Sequence, residues 1–283
     1  MSSQMGALLA SGLDELRYEP TGKRIRAMLG GGTAVDSTRA VLVWEPRRIV
    51  PSYAIPAGDI RGELAPAAAA SSDTPGVGAQ MPALSGRPVL TPADPFAAHT
   101  AEGQVMDVRA LGQDRPGAGF RLADPDLAGY IVLDFGAFDG WLEEDEPNVA
   151  HPRDPFHRID VLPSSRHVRL ELGGQVLAES SRPMLLFETM LPVRYYLPRE
   201  DIRAELVPSD TRTYCAYKGQ ASYWSVTVGG QAVPDIAWTY QQPLHDAEQV
   251  RDLTAFFDER VDVVVDGERR ERPITPWSPG RRA

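Results

Sequence analysis

The densest run of chemically capable residues is Thr213-Tyr-Cys-Ala-Tyr-Lys-Gly219. Cys215 and Lys218 stand three residues apart at a strand-to-turn transition. If that turn folds back, the ammonium approaches the sulfur and favours the thiolate. Gly219 would let a ligand approach the backbone closely. Tyr223, Trp224, Trp238 and Tyr240 follow and supply an aromatic wall, with Thr213 at its edge. On this reading the segment forms a pocket, with Cys215 and Lys218 as candidate catalytic residues and the other six as candidate ligand-binding residues. The same residues also suit an ordinary core: a buried cysteine, a lysine stem laid over apolar neighbours, and packed aromatics. Lysine usage adds weight to Lys218. Of 29 basic residues only Lys23 and Lys218 are lysines. In a chain that uses arginine by default, a lysine in a turn points to its compact, pKa-flexible ammonium.

Two other clusters carry potential ligands. The stretch His151-Pro-Arg-Asp-Pro-Phe-His-Arg-Ile-Asp160 holds His151, Asp154, His157 and Asp160. Its prolines make it extended, which suits a linker with Arg–Asp pairs better than a metal site. Glu45 with Arg39, and Glu188 with Arg182, recur at matching places and read as structural carboxylate–guanidinium bridges. A single cysteine precludes an internal disulfide and a thiolate zinc cage. There is no phosphate-binding loop, nucleophile elbow, His-Glu-x-x-His or dinucleotide fingerprint. No metal and no cofactor are expected.

The elements that must position these residues show themselves through a repeat. Residues 23–45, KRIRAMLGGGTAVDSTRAVLVWE, align with 166–188, RHVRLELGGQVLAESSRPMLLFE. After a one-residue deletion, SYAIPAGDIRGEL at 52–64 meets RYYLPREDIRAEL at 194–206, with seven of thirteen positions identical. Val168, Leu170 and Leu172 alternate with polar residues, as in a half-buried strand. Gly173-Gly174 and Gly229-Gly230 are two-residue hairpin signals. Met184–Phe187 reads as a strand buried on both faces. The spacing of Ala247, Val250, Leu253 and Phe257 predicts a helix over 246–257, and a short acidic helix is expected around Phe138–Glu144. Ala65–Pro88, rich in Ala, Pro, Ser and Gly, reads as an inserted loop. Aligning CAYKGQ with His99-Thr-Ala-Glu-Gly-Gln104 replaces Cys215 by His99 and Lys218 by Glu102, and sets Tyr223 and Trp224 opposite Asp107 and Val108.

The segments SSRPMLLFETMLPVRYYLPREDI, TYCAYKGQASYWSV and IAWTYQQP resemble the bacterial domain-of-unknown-function 427 family. LRYEPTGKRIRA, VWEPRRIVPSYAIP and HPRDPFHRIDVLPSSRHVR resemble its two-copy, actinobacterial type. The resemblance implies a fold similar to β-tents that elsewhere carry zinc, although the metal cysteines are absent here. It also brings a nucleotidyltransferase label. That chemistry calls for carboxylates holding Mg²⁺ and a phosphate cradle, and no such pattern is present.

The expected architecture is mainly β: two similar β-tent-like modules, each with a short helix, from an internal duplication. The first spans 14–150, the second 151–268, and 269–283 is a solvated tail. The two copies are expected to associate as an intramolecular pseudo-dimer. A net charge of −10 argues against nucleic acid as a partner. No apolar run approaches membrane-spanning length and no leader pattern precedes the first module, so a cytoplasmic protein without membrane contact is expected. The leading functional expectation is a module that binds a small molecule in the second copy. The alternatives are a non-catalytic scaffold and, more weakly, nucleotidyl transfer.

Overall fold

A computed structural model describes residues 2–68, 79–80 and 88–278. Most of Ala65–Pro88 lies outside the described residues, as do Arg281 and Arg282. Ala65 and Pro66 themselves end a strand. The chain divides into two compact units, one of Met1–Ala79 and Arg87–Asp154, the other of Gln80–Gly86 and Pro155–Ala283.

In the first unit a short helix, α1 (Met5–Ser11), precedes β1 (Arg17–Pro20), β2 (Ile25–Leu29), β3 (Gly32–Ser37), β4 (Val41–Trp44), β5 (Ser52–Pro56) and β6 (Glu63–Pro66). The two-residue strands β7 (Ala79–Gln80) and β8 (Pro88–Val89) follow. After them come β9 (Gly103–Ala110), β10 (Gln113–Leu122), β11 (Tyr130–Leu133), β12 (Gly140–Glu143) and β13 (Glu146–Asn148). The second unit contains β14 (Ile159–Pro163), β15 (Val168–Leu172), β16 (Gln175–Ser180), β17 (Met184–Glu188), β18 (Arg194–Leu197) and β19 (Val207–Cys215). It continues with β20 (Gly219–Val228), β21 (Gln231–Thr239), β22 (Thr254–Phe256), β23 (Asp262–Val265) and β24 (Glu268–Arg269).

Each unit sets a seven-stranded antiparallel sheet against a four-stranded one. The orders are β1-β4-β5-β11-β10-β9-β6 with β13-β12-β2-β3, and β14-β17-β18-β22-β21-β20-β19 with β16-β15-β23-β24. Strand for strand, the two orders are the same. The core between the sheets of the second unit joins Val168, Leu170, Leu177 and Val263 to Leu197, Val226, Ile236 and Phe256. Alternation turns the neighbours of these residues to the other face of the large sheet, where Leu186, Tyr196, Trp238, Tyr240 and Ala255 form a second cluster with Val161, Ala247 and Val250. Both Gly-Gly pairs of this unit turn hairpins at φ values of 58° and 79°.

Local periodicity misleads in two places. Residues 246–257 are not one helix: a 3-10 segment, His245–Val250, hands over to strand β22. β22 fills the slot between β18 and β21 and bonds to both, and those ladders outweigh a helical apolar spacing. Phe138–Glu144 likewise holds β12, which pairs with both β2 and β13. Phe187, expected buried, is 40 % exposed on β17, opposite Asp160 of the edge strand β14. Arg269, expected in a solvated tail, lies in β24, and Thr275 beyond it is buried.

Candidate functional site

Lys218 ends the three-residue turn between β19 and β20, which the Cys215–Gly219 pair closes. Gly219 sits at φ +87°, the left-handed region, and a Cβ there would stand 3.3 Å from the Gln242 carbonyl oxygen. The close approach predicted for a ligand is thus made by the chain's own backbone: Leu244 N–H donates to the Lys218 carbonyl at 3.2 Å. Locked in this way, the turn points the buried Lys218 side chain at Glu188, at the end of β17. Its ammonium donates to Glu188 Oε2. His157 Nε2 lies 3.0 Å from the other oxygen, Oε1, and the imidazole stacks on Tyr217 with ring centres 4.6 Å apart.

Electrostatics keep Glu188 and Lys218 charged. Burial disfavours the Glu188 carboxylate, but Lys218 and His157 outweigh it and bring the group down to about 2. Burial also opposes the ammonium, yet Glu188 keeps Lys218 protonated to above its usual range. A permanently charged lysine is unsuited to nucleophilic amine chemistry and suited to meeting an anion or a developing negative charge. Cys215, partly exposed at the end of β19, lies within electrostatic reach of Lys218 and Tyr240. The ammonium that the spacing assigned to its sulfur is bonded to Glu188 instead.

The aromatic wall is only partly as expected. Trp238 and Tyr240 are buried on the outer face of the large sheet, and Tyr223 packs against the same cluster. Thr213 Oγ1 meets the Tyr223 hydroxyl at 2.8 Å. Trp224, one residue on, faces the opposite way into the inter-sheet core, where its Nε1 donates to Thr239 Oγ1 at 2.9 Å. It therefore does not line the site. Sequence reasoning left out Tyr196, whose hydroxyl accepts from Trp238 Nε1 at 3.0 Å; burial pushes that phenol up to about 12. It also left out Arg194, two residues before Tyr196 on the same face. Arg194 is bonded by both terminal nitrogens to Glu259, at 2.9 and 2.5 Å, and stands 3.7 Å from Asp258. The signal available was the alternation of Arg194 and Tyr196 along β18.

Residues 160–267 match a family described as a domain of unknown function, DUF427. No curated protein matches the chain. The matched residues include Glu188, Arg194, Tyr196, Lys218, Trp238 and Tyr240, while His157 lies just before them.

The first unit offers an internal comparison. Ladder pairing places Ala54 where the second unit has Tyr196, Phe120 where it has Trp238, and Val105 where it has Tyr223. Counting back, Thr100 answers to Lys218 and His99 to Tyr217, two residues away from the alignment with His99–Gln104 drawn above. Glu45, the counterpart of Glu188, is bonded to His99 Nδ1 at 3.0 Å and to the backbone N–H groups of Thr100 and Ala101 at 2.8 and 3.2 Å. The outer face here carries Val41, Val43, Ala54, Phe120, Leu122 and Val132, with the His99 ring stacked 3.6 Å from Phe120. The expected Glu–Arg bridges do not form. Arg39 pairs with Asp59 at 2.6 Å and Arg182 with Glu200 at 2.7 Å. In the junction, Asp160 pairs with Arg158, and His151 Nδ1 lies 2.8 Å from the Pro152 carbonyl oxygen. Among the described residues no three His, Cys, Asp or Glu side chains converge as metal ligands.

Proposed function

We propose that this chain binds a small molecule on the outer face of the large sheet of its second unit. Lys218 meets the ligand, Glu188 and His157 hold the ammonium in place, and Tyr196, Trp238 and Tyr240 line the face. Cys215 and Tyr223 stand at its border. One observation supports this above the others. In two sheets of the same strand order, Ala54, Phe120 and Leu122 on one outer face stand where the other has Tyr196, Trp238 and Tyr240, and Thr100 stands where the other has the buried Lys218. Both units bury the carboxylate, Glu45 or Glu188, but the first satisfies it with His99 and backbone N–H groups and fills the three aromatic places with apolar side chains. The ammonium and phenol hydroxyls that the second unit buries in addition support a functional site there. We also read the shared strand order and the recurring residues as traces of an internal duplication, the first copy serving as scaffold.

Thermal denaturation against a panel of small carboxylates and organic phosphates tests the reading. At a hundredfold excess over its Kd, a specific ligand adds about 2.7 kcal/mol. The expected result is a hit that raises the melting temperature of the wild type and loses its effect in Lys218→Met. A panel without hits, or hits indifferent to Lys218, would count against the site.

A further inference from the structure

From β24 to Ser278 the chain stays against the second unit. Residues 273–278 form a turn closed on itself. Ser278 N–H donates to the Thr275 carbonyl at 3.1 Å, Ser278 Oγ donates to the Pro273 carbonyl at 3.2 Å, and Trp277 N–H donates to Thr275 Oγ1 at 3.1 Å. The turn reaches the rest of the unit through side chains. Thr275, 3 % exposed, donates its hydroxyl to Glu259 Oε1 at 2.5 Å. Trp277, 45 % exposed, places its ring 5.8 Å from the Arg194 guanidinium, which also stands 5.7 Å from Trp238. Arg194 is fixed by its two bonds to Glu259, so its planar surface is presented whether or not Trp277 is there.

We propose that residues 273–278 are a displaceable strap, and that Trp277 occupies a stacking place on Arg194 that a flat aromatic ring of a ligand takes when the strap lifts. The inference rests on the small-molecule site proposed above and names one chemical feature of its ligand. Three observations combine. The place already accepts a flat π-system, here an indole. Its cation is neutralised by Glu259, so stacking there demands no negative charge of the newcomer. The strap is held by side chains, one of them half exposed, and adds no strand to either sheet, so lifting it breaks no ladder.

The test needs no ligand, so its failure is distinct from failure of the binding reading. Full-length wild type, Trp277→Ala and Thr275→Val are treated with phenylglyoxal, and modification of Arg194 is followed by mass spectrometry. Amide exchange in β22 reports on the fold. Loss of one cation–π or buried hydroxyl contact should raise the open population, and so the Arg194 modification rate, by about tenfold. β22 should stay protected. Arg194 as resistant in both variants as in the wild type would overturn the strap. Loss of β22 protection in both variants would overturn it too, by showing that the segment maintains the fold. With the strap established, indole added to Trp277→Ala should restore protection of Arg194, and absence of protection would refute the stacking place.

Discussion

At the scale of single residues, the buried ions of the second unit dominate. Removing one partner of a buried pair strands the other charge, which typically costs about 3–5 kcal/mol. Glu188→Gln is therefore expected to destabilise the second unit by about that amount in urea denaturation. Adding Lys218→Met should return part of the loss, and single variants within 1 kcal/mol of wild type would contradict the pairing. Acid behaviour follows with its sign. Glu188 is held down to about 2, so its contribution is present above the ordinary carboxylate range and is lost as pH falls toward that value. Asp258 is the opposite case. Burial pushes its carboxyl up to about 7 despite Arg194. The folded state then binds a proton that the unfolded state has released, so stability falls as pH rises from about 4 to about 7. Asp258→Asn should flatten that part of the melting-temperature profile, and an unchanged slope would exclude Asp258 as its source. Lys218 could be singled out in the sequence because the chain is so poor in lysine. Glu188 and His157 also stood out, but not as its partners, because Glu188 lies 30 residues away and His157 a further 31.

At the scale of elements, the turn that carries Lys218 depends on Gly219. A side chain there meets both a left-handed backbone and the Gln242 carbonyl. Gly230 shares the backbone conformation, at φ +79°, but has open space around it. Gly230→Ala should cost about 1–2 kcal/mol, the ordinary cost of a left-handed alanine, and Gly219→Ala should cost more because backbone must also shift. Equal losses in chemical denaturation would mean that the contact with Gln242 contributes nothing. Strand alternation was readable wherever one face is polar, as in Val168–Leu172. It failed at Ala247–Phe257, where residues that cover the outer face and residues that enter the sheet happen to share a helical spacing. Tyr223 and Trp224 show the same limit on a smaller scale. Adjacency along a strand assigns them to opposite faces, but only the sheet's neighbours say which face is the core.

At the scale of the whole molecule, each unit closes its own cores. Leu170→Ala, a cavity in the inter-sheet core of the second unit, should cost about 2–5 kcal/mol there. In hydrogen exchange it should lower protection across β14–β23 and leave β2–β5 at wild-type levels; equal loss in both units would contradict the separate cores. The sequence alone determined the β class, the glycine hairpins and the matching segments of the two halves. These follow from φ preferences and side-chain periods, which are local. Tertiary structure alone decided that Lys218 serves Glu188 before Cys215, that Trp224 faces the core, that Arg194 and Tyr196 lie beside Trp238, and that the two halves align two residues away from the apparent match at His99. Each of these depends on strand order and ladder register, which join residues tens of positions apart and leave no periodic trace in the chain.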